Sequence, residues 1–351
     1  MSRKLTVLFD GTWNTTKDRT NVVRLSELIA IAGSDGGEQL PPYYDKGVGT
    51  HVLDRVIGGT FGYGLSDNIR DGYRWLAGNF RPGDELFLFG FSRGAYTARS
   101  LAGLIRKCGI LRPPGMAEVR KTQEQFSRRS ADKSLIQQAY DLYRDKDIHP
   151  DNPEATAFRA SFAQETRIRF IGVWDTVGSL GIPVTGVPFS RDFYQWHDTE
   201  LSKIVDYAYH ALALDEHRKD FAPAVWTARK PENVEVEQRW FVGAHSNVGG
   251  GYRDDLLPNL ALAWLQQKAR AAGLGFKADG VVNDQAPLAN INDSYSEFMS
   301  GLYKRFKGDK RYYRVFGRGV NETVDDSVWK RWQARPDYRP PTLSGIASLR
   351  R

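Results

Sequence analysis

The sequence predicts an α/β fold, with a mostly parallel central sheet, helices on both faces and a helical cap inserted into it. Three observations predict it. Apolar runs at 5–9, 85–89 and 167–174 are too short for helices and too continuous for strands with one wet face, which is how strands buried on both sides read. Long stretches with apolar residues at helical spacing fall between them, at 65–80, 95–108 and 259–273. Glycine or aspartate punctuates the ends of the runs. The chain of 351 residues fits one domain spanning 1–351, with 116–165 as the cap.

In chain order, 5–9 is an early strand and 10–14 its loop. A glycine–aromatic loop at 57–64 precedes the helix at 65–80, which Pro82 and Gly83 close. It lacks the Lys-Ser or Lys-Thr of a phosphate loop, so it is expected to form a cleft wall. The strand at 85–89 runs into Gly90-Phe91-Ser92-Arg93-Gly94, and the helix after it stops at Gly109. Segment 116–165 is polar, charged and helical. The strand at 167–174 ends at Asp175, and the aromatic-rich loop at 180–204 could contact an acyl chain or pack on the core. A short strand could end before Asp215, another spans 239–244, and the tail beyond about 285 reads as loop-rich.

The G-x-S-x-G segment sits between a strand and a helix, the context of a nucleophile elbow that projects a serine hydroxyl from a sharp turn. Ser92 is therefore the candidate nucleophile, and it needs a base oriented by an acid. Of six histidines, His149 and His197 look like loop residues, His210 a packed core residue and His217 a solvated or ion-paired one, while His51 precedes the serine. His245 follows a strand, opens a triple-glycine loop and lies downstream of the elbow, where a hydrolase places its base. Asp175 at the end of a buried strand is the candidate acid, with Asp215 in reserve. The backbone N–H of Arg93 is the expected oxyanion donor, joined by Gly11 or Thr12 from the first loop. Asp10, Phe91 and Tyr252 flank these positions as candidate substrate contacts. Asp10 also resembles the start of an acidic metal loop, but no second carboxylate cluster supports a metal, and none is expected.

Six ordered motifs then resemble one family: 8–14, 44–50, 90–95, 173–178, 213–216 and 243–252. They are similar to the bacterial and fungal α/β-hydrolase family described as the catalytic domain of type VI secretion phospholipase effectors. The likeness runs from about residue 4 to 345. It implies an α/β-hydrolase fold and lipase, esterase or phospholipase A chemistry, with Ser92, Asp175 and His245 as the triad. Two departures stand out: Asn247 replaces a frequent acidic residue, and Asp325-Asp326-Ser327-Val328 lacks a frequent histidine, so the C-terminal region is expected not to be catalytic. The function expected is a serine esterase without cofactor, acting on an ester or phospholipid with peripheral membrane contact. The alternative is an inactive hydrolase-fold binding or regulatory module.

The net charge of +7 favours anionic partners, yet the basic residues are scattered among acids, so no nucleic-acid partner is expected. An immunity or carrier protein is not legible. The single cysteine, Cys108, falls on the apolar face of the elbow helix as a buried thiol. The N-terminus does not read as a signal peptide. The expectation is a cytoplasmic protein, or one secreted without a cleaved signal.

Overall fold

The computed structural model describes residues 2–11, 18–47, 61–113, 134–177, 199–254, 256–298 and 300–346. In chain order the elements are β1 (Lys4–Phe9), α1 (Asn21–Leu28), β2 (Tyr43–Asp45), α2 (Phe61–Asn79), β3 (Glu85–Phe91), α3 (Arg93–Cys108), β4 (Ile110–Leu111), α4 (Leu135–Arg144) and α5 (Pro153–Phe162). There follow β5 (Ala163–Gln164), β6 (Ile168–Trp174), β7 (Val205–Ala213), β8 (Glu235–Phe241), α6 (His245–Gly249), α7 (Leu256–Ala271), α8 (Ser294–Glu297), α9 (Leu302–Lys307), β9 (Glu322–Val324) and α10 (Asp326–Ala334). The expected α/β class holds. Seven strands form one sheet in the order β2-β1-β3-β6-β7-β8-β9, and every neighbouring pair in it is parallel.

Period-two alternation explains why β1 and β3 are almost continuously apolar. Val7, Phe9, Leu86 and Leu88 enter one core with α2, α3, α4 and α5. Leu8, Phe87, Phe89 and Phe91 enter the other with α1 and α7. Each fully buried phenylalanine contributes about 1.5–3 kcal/mol, and Phe89 stacks on both Phe170 and Trp174. The chain leaves β1 for β2 at one edge and returns to β3 on the other side of β1. That reversal opens a crevice at the carboxyl ends of β1 and β3, where open α/β sheets bind ligands.

The described part of the expected cap, 134–165, packs on the far half of α3. Tyr143 lies against Gly103, the Cys108 thiol donates to the Ala139 carbonyl at 3.2 Å, and Arg159 donates to the Lys107 carbonyl at 2.9 Å. A layer helix and a cap helix share the same 3.6-residue apolar stripe, so periodicity cannot distinguish them. Residues 116–133 lie outside the described residues, as do 57–60 of the expected loop at 57–64 and 180–198 of the expected loop at 180–204, whereas 61–64 belong to α2 instead of a loop. The tail beyond 285 is loop-rich, as expected, yet it also supplies α8, α9, α10 and the edge strand β9. Pro336, Pro340 and Pro341 follow α10 instead of preventing it, and Asp325 caps it by accepting from Ser327 N–H at 2.9 Å. Cys108 is buried, as expected, and burial pushes its thiol up to about 12.

Candidate active site

β3 ends in a turn that only this glycine pattern permits. Ser92 has φ 59° and ψ −121°, a strained conformation for a residue with a Cβ. Its N–H donates to the Trp174 carbonyl at 3.0 Å, tying the elbow to the end of β6. A Cβ on Gly90 would stand 2.4 Å from the Gly94 carbonyl oxygen. One on Gly94 would stand 2.2 Å from the Phe9 carbonyl oxygen, at the carboxyl end of β1. Gly94→Ala is therefore expected to destabilise the protein by roughly 3 kcal/mol, read as a lower thermal midpoint. An unchanged midpoint would contradict this packing.

The serine hydroxyl lies 2.8 Å from His245 Nε2, and His245 Nδ1 lies 2.6 Å from Asp175 Oδ2. All three residues are buried. Burial alone would raise the Asp175 carboxyl, but the charge of Arg314 and hydrogen bonds from His245 and Arg314 outweigh it and hold it well below the usual carboxylate range. Asp175 is therefore ionised, His245 Nδ1 carries the proton, and Nε2 is left to accept from Ser92. Burial lowers the imidazole from its ordinary value against the pull of Asp175. Its walls are Phe91 at 4.6 Å and Phe221 at 5.2 Å between ring centroids.

Local sequence explains how the base is presented. After β8, Gly243 takes φ 111° and α6 begins at His245 as a single turn. Gly249 and Gly250 serve close approach, and Gly251 takes φ 113°. A Cβ on Gly249 would overlap the Phe91 ring at 1.9 Å, and one on Gly250 would stand 2.7 Å from Asn21 N. Asn247 is buried and structural: it accepts from Ala244 N–H and exchanges hydrogen bonds with Asn292.

Other expected site residues fall elsewhere. Asp215 does not touch His245; it accepts from Gly243 N–H at 2.7 Å and from the Tyr338 hydroxyl at 3.0 Å, pinning the ends of β7 and β8. Phe91, expected as a substrate contact, is buried with its ring packed between His245 and Gly249. Asp10 is buried and accepts from Gly11 N–H at 2.7 Å, Thr20 at 2.6 Å and Tyr44 at 2.9 Å. Those bonds fasten the first loop to α1 and β2. They also engage the Gly11 N–H, which removes it as an oxyanion donor. Thr12 lies outside the described residues, as do His51 and His197. Arg93 opens α3, where helix N–H groups converge and favour negative charge. Tyr252 is half-buried, and burial and the field of Glu216 raise its phenol to about 12 against Arg218. No group of three or more His, Cys, Asp or Glu able to hold a metal occurs among the described residues.

Several residues were not found by sequence reasoning. Arg314 grips Asp175 through both terminal nitrogens, at 2.5 and 2.9 Å. Glu216 is fully buried, accepts from the His245 backbone N–H at 3.2 Å and forms a two-point ion pair with Arg218. His210 accepts from Thr176 N–H at 3.0 Å, holding the residue after the acid. The only available signal was an acidic–basic alternation, Asp215-Glu216-His217-Arg218, which also describes a solvated turn.

Residues 3–268 match the family described as T6SS, Phospholipase effector Tle1-like, catalytic domain. The chain belongs to that family. Outside this phospholipase effector match, an uncharacterised protein of Saccharomyces cerevisiae is 29% identical over 251 residues, covering 64% of this chain and 33% of its own length. A crystal structure of an uncharacterised Pseudomonas aeruginosa protein aligns at TM-score 0.44 and 17% identity, covering 87% of this chain and 51% of that one. A thermophilic esterase from Thermogutta terrifontis aligns at TM-score 0.37 and 14% identity, covering 79% of this chain and 85% of its own. The chain therefore spans a third of the yeast protein and about half of the Pseudomonas one.

Proposed function

We propose that the protein is a serine hydrolase of carboxylic esters, with phospholipids as its leading substrate class. The observation that carries this reading is the continuous hydrogen-bonded line from Ser92 through His245 to Asp175. Ser92 Oγ attacks the ester carbonyl carbon as His245 Nε2 takes its proton. Asp175 accepts from Nδ1 and stabilises the imidazolium. The oxyanion is received by the Arg93 N–H and by a second donor, for which Thr12 is the candidate. Collapse breaks the carbon–oxygen bond, and His245 returns the proton to the departing alcohol. Water, deprotonated by the same imidazole, then releases the acid from Ser92. Membership of a phospholipase effector family favours a glycerophospholipid as the ester. No helix among the described residues is long and apolar enough to cross a membrane, so substrate would be met by peripheral contact.

A fluorophosphonate probe tests the chemistry and a lipid panel tests the substrate. The probe is expected to label Ser92 rapidly at neutral pH, located by peptide mass spectrometry. Vesicles of zwitterionic or anionic diacyl phospholipid are expected to release fatty acid and lysophospholipid. Hydrolysis of p-nitrophenyl esters alone would retain the esterase and exclude the lipid. Failure of both labelling and hydrolysis would favour a binding or regulatory module on the same fold.

A further inference from the structure

The acid of the candidate relay is held by a residue from the C-terminal segment, beyond the part of the chain that matches the family. Arg314 lies between α9 and β9, after the match ends at residue 268. Its side chain is wholly buried. Nη1 donates to Asp175 Oδ1 at 2.5 Å and to the Ala213 carbonyl at 2.7 Å. Nη2 donates to Asp175 Oδ2 at 2.9 Å and to the Phe221 carbonyl at 2.7 Å. The Arg314 carbonyl is fixed in turn by the Thr342 hydroxyl at 2.8 Å. Two residues earlier, Tyr312 N–H donates to the His217 carbonyl at 2.9 Å. The guanidinium is thus anchored from the loop after β7 and from the last turn of the described chain.

This arrangement does more than neutralise a buried carboxylate. Two parallel N–H donors fix the plane of a carboxylate as well as its position. Oδ1 receives Arg314 and the Ala213 N–H, and Oδ2 receives Arg314 and His245 Nδ1. Asp175 itself takes φ 37°, a backbone geometry that needs external support. Resting on the reading of Ser92, His245 and Asp175 as a catalytic relay, we propose that Arg314 is a positioning residue that clamps both oxygens of Asp175 so that Oδ2 meets His245 Nδ1 in the productive plane.

The charges that face the relay give this role a measurable signature. Asp175 from β6 and Arg314 from the C-terminal segment meet at the acid. Glu216 and Arg218 follow β7 and stand beside His245. His210 in β7 backs Thr176 and is held neutral, its pKa lowered to about 3 by burial. Tyr252 lies within the field of Glu216 and Arg218. Each carboxylate is thus matched by one guanidinium. Removing Arg314 leaves Asp175 unmatched, which favours protonated His245 and favours protonated Asp175. Both changes move loss of activity to higher pH.

The test compares Arg314→Gln and Arg314→Lys with wild type, using p-nitrophenyl ester hydrolysis across pH and the NMR signal of the His245 Nδ1 proton. Arg314→Gln is expected to lower kcat about 10²-fold through misplacement of the relay, with KM unchanged. Its acid limb is expected to rise by roughly one pH unit, and the Nδ1 proton resonance to be displaced. Added guanidinium ion is expected to restore part of kcat. Arg314→Lys keeps the charge but cannot grip both oxygens, so its acid limb stays near wild type while kcat falls.

Folded Arg314→Gln with wild-type kcat and acid limb would overturn the proposal. So would a fall in activity with neither the limb nor the resonance displaced, which marks a merely structural role. If the glutamine variant does not fold, wild-type kcat in folded Arg314→Lys overturns it instead. If wild type hydrolyses no ester and resists the fluorophosphonate, the relay reading fails. The His245 resonance still decides whether Arg314 positions Asp175.

Discussion

Replacing Ser92 with alanine is expected to reduce kcat by about 10⁶-fold, the scale seen when a serine nucleophile is deleted from an intact triad. The fold should survive. Alanine keeps the Cβ, so the strain at φ 59° and ψ −121° is unchanged. The lost hydroxyl leaves His245 Nε2 without its 2.8 Å partner, a cost of about 1–3 kcal/mol if water cannot replace it. Ser92→Gly should be as inactive, while relieving about 1–3 kcal/mol of backbone strain against the greater entropy of an unfolded glycine. Steady-state ester hydrolysis and thermal melts of the two variants separate chemistry from stability. Near-wild-type turnover by a folded alanine variant would remove Ser92 from the mechanism.

Strain of this kind recurs where the site is assembled. Ser92 and Asp175 both take positive φ, and they end the neighbouring parallel strands β3 and β6. Each turn points a short polar side chain into the crevice, and each is held by bonds made elsewhere. Ser92 is tied through its N–H to the Trp174 carbonyl, and Asp175 N–H donates to the Ala211 carbonyl at 2.7 Å. The sheet is the rigid body that allows two unfavourable backbone conformations to face one another.

How much could be read beforehand follows from where the signals lie. Ser92 and Asp175 each stand directly after an apolar strand and His245 shortly after the apolar end of β8, so a change of local pattern marked them, and the structure brings these three together. The parallel sheet was legible for a similar reason, since β1, β3 and β6 are continuous apolar runs. β7 was less legible because Asp206 and His210 interrupt it, and His210 is tolerated only because Thr176 and Gln238 satisfy its ring. Proximity in sequence did not show what Phe91 and Asp10 pack against. Both adjoin the site, yet one supports the imidazole and the other fastens a loop. Arg314 had no local mark at all. A lone arginine in a segment without periodicity acquires its role only when the topology carries that segment back to the end of β6.

Asp175→Asn is expected to lower kcat by about 10⁴-fold, and the surroundings of the carboxylate show why a near-isosteric change is so severe. Every neighbour donates: Ala213 N–H and Arg314 Nη1 at one oxygen, Arg314 Nη2 and His245 Nδ1 at the other. An amide must turn its NH₂ toward donors whichever way it flips. Facing His245, it favours the tautomer with the proton on Nε2, which can no longer take one from Ser92. In either orientation the neutral amide leaves the buried Arg314 guanidinium without its counter-charge, a loss of about 3–5 kcal/mol. Adding Arg314→Gln to Asp175→Asn removes that stranded charge, so the double variant should melt higher than the single one. It should remain equally inactive, because stability returns without an anion to hold the imidazole. Recovery of turnover in the double variant would mean that Asp175 serves only to neutralise Arg314, and wild-type kcat in Asp175→Asn would mean that His245 needs no acid.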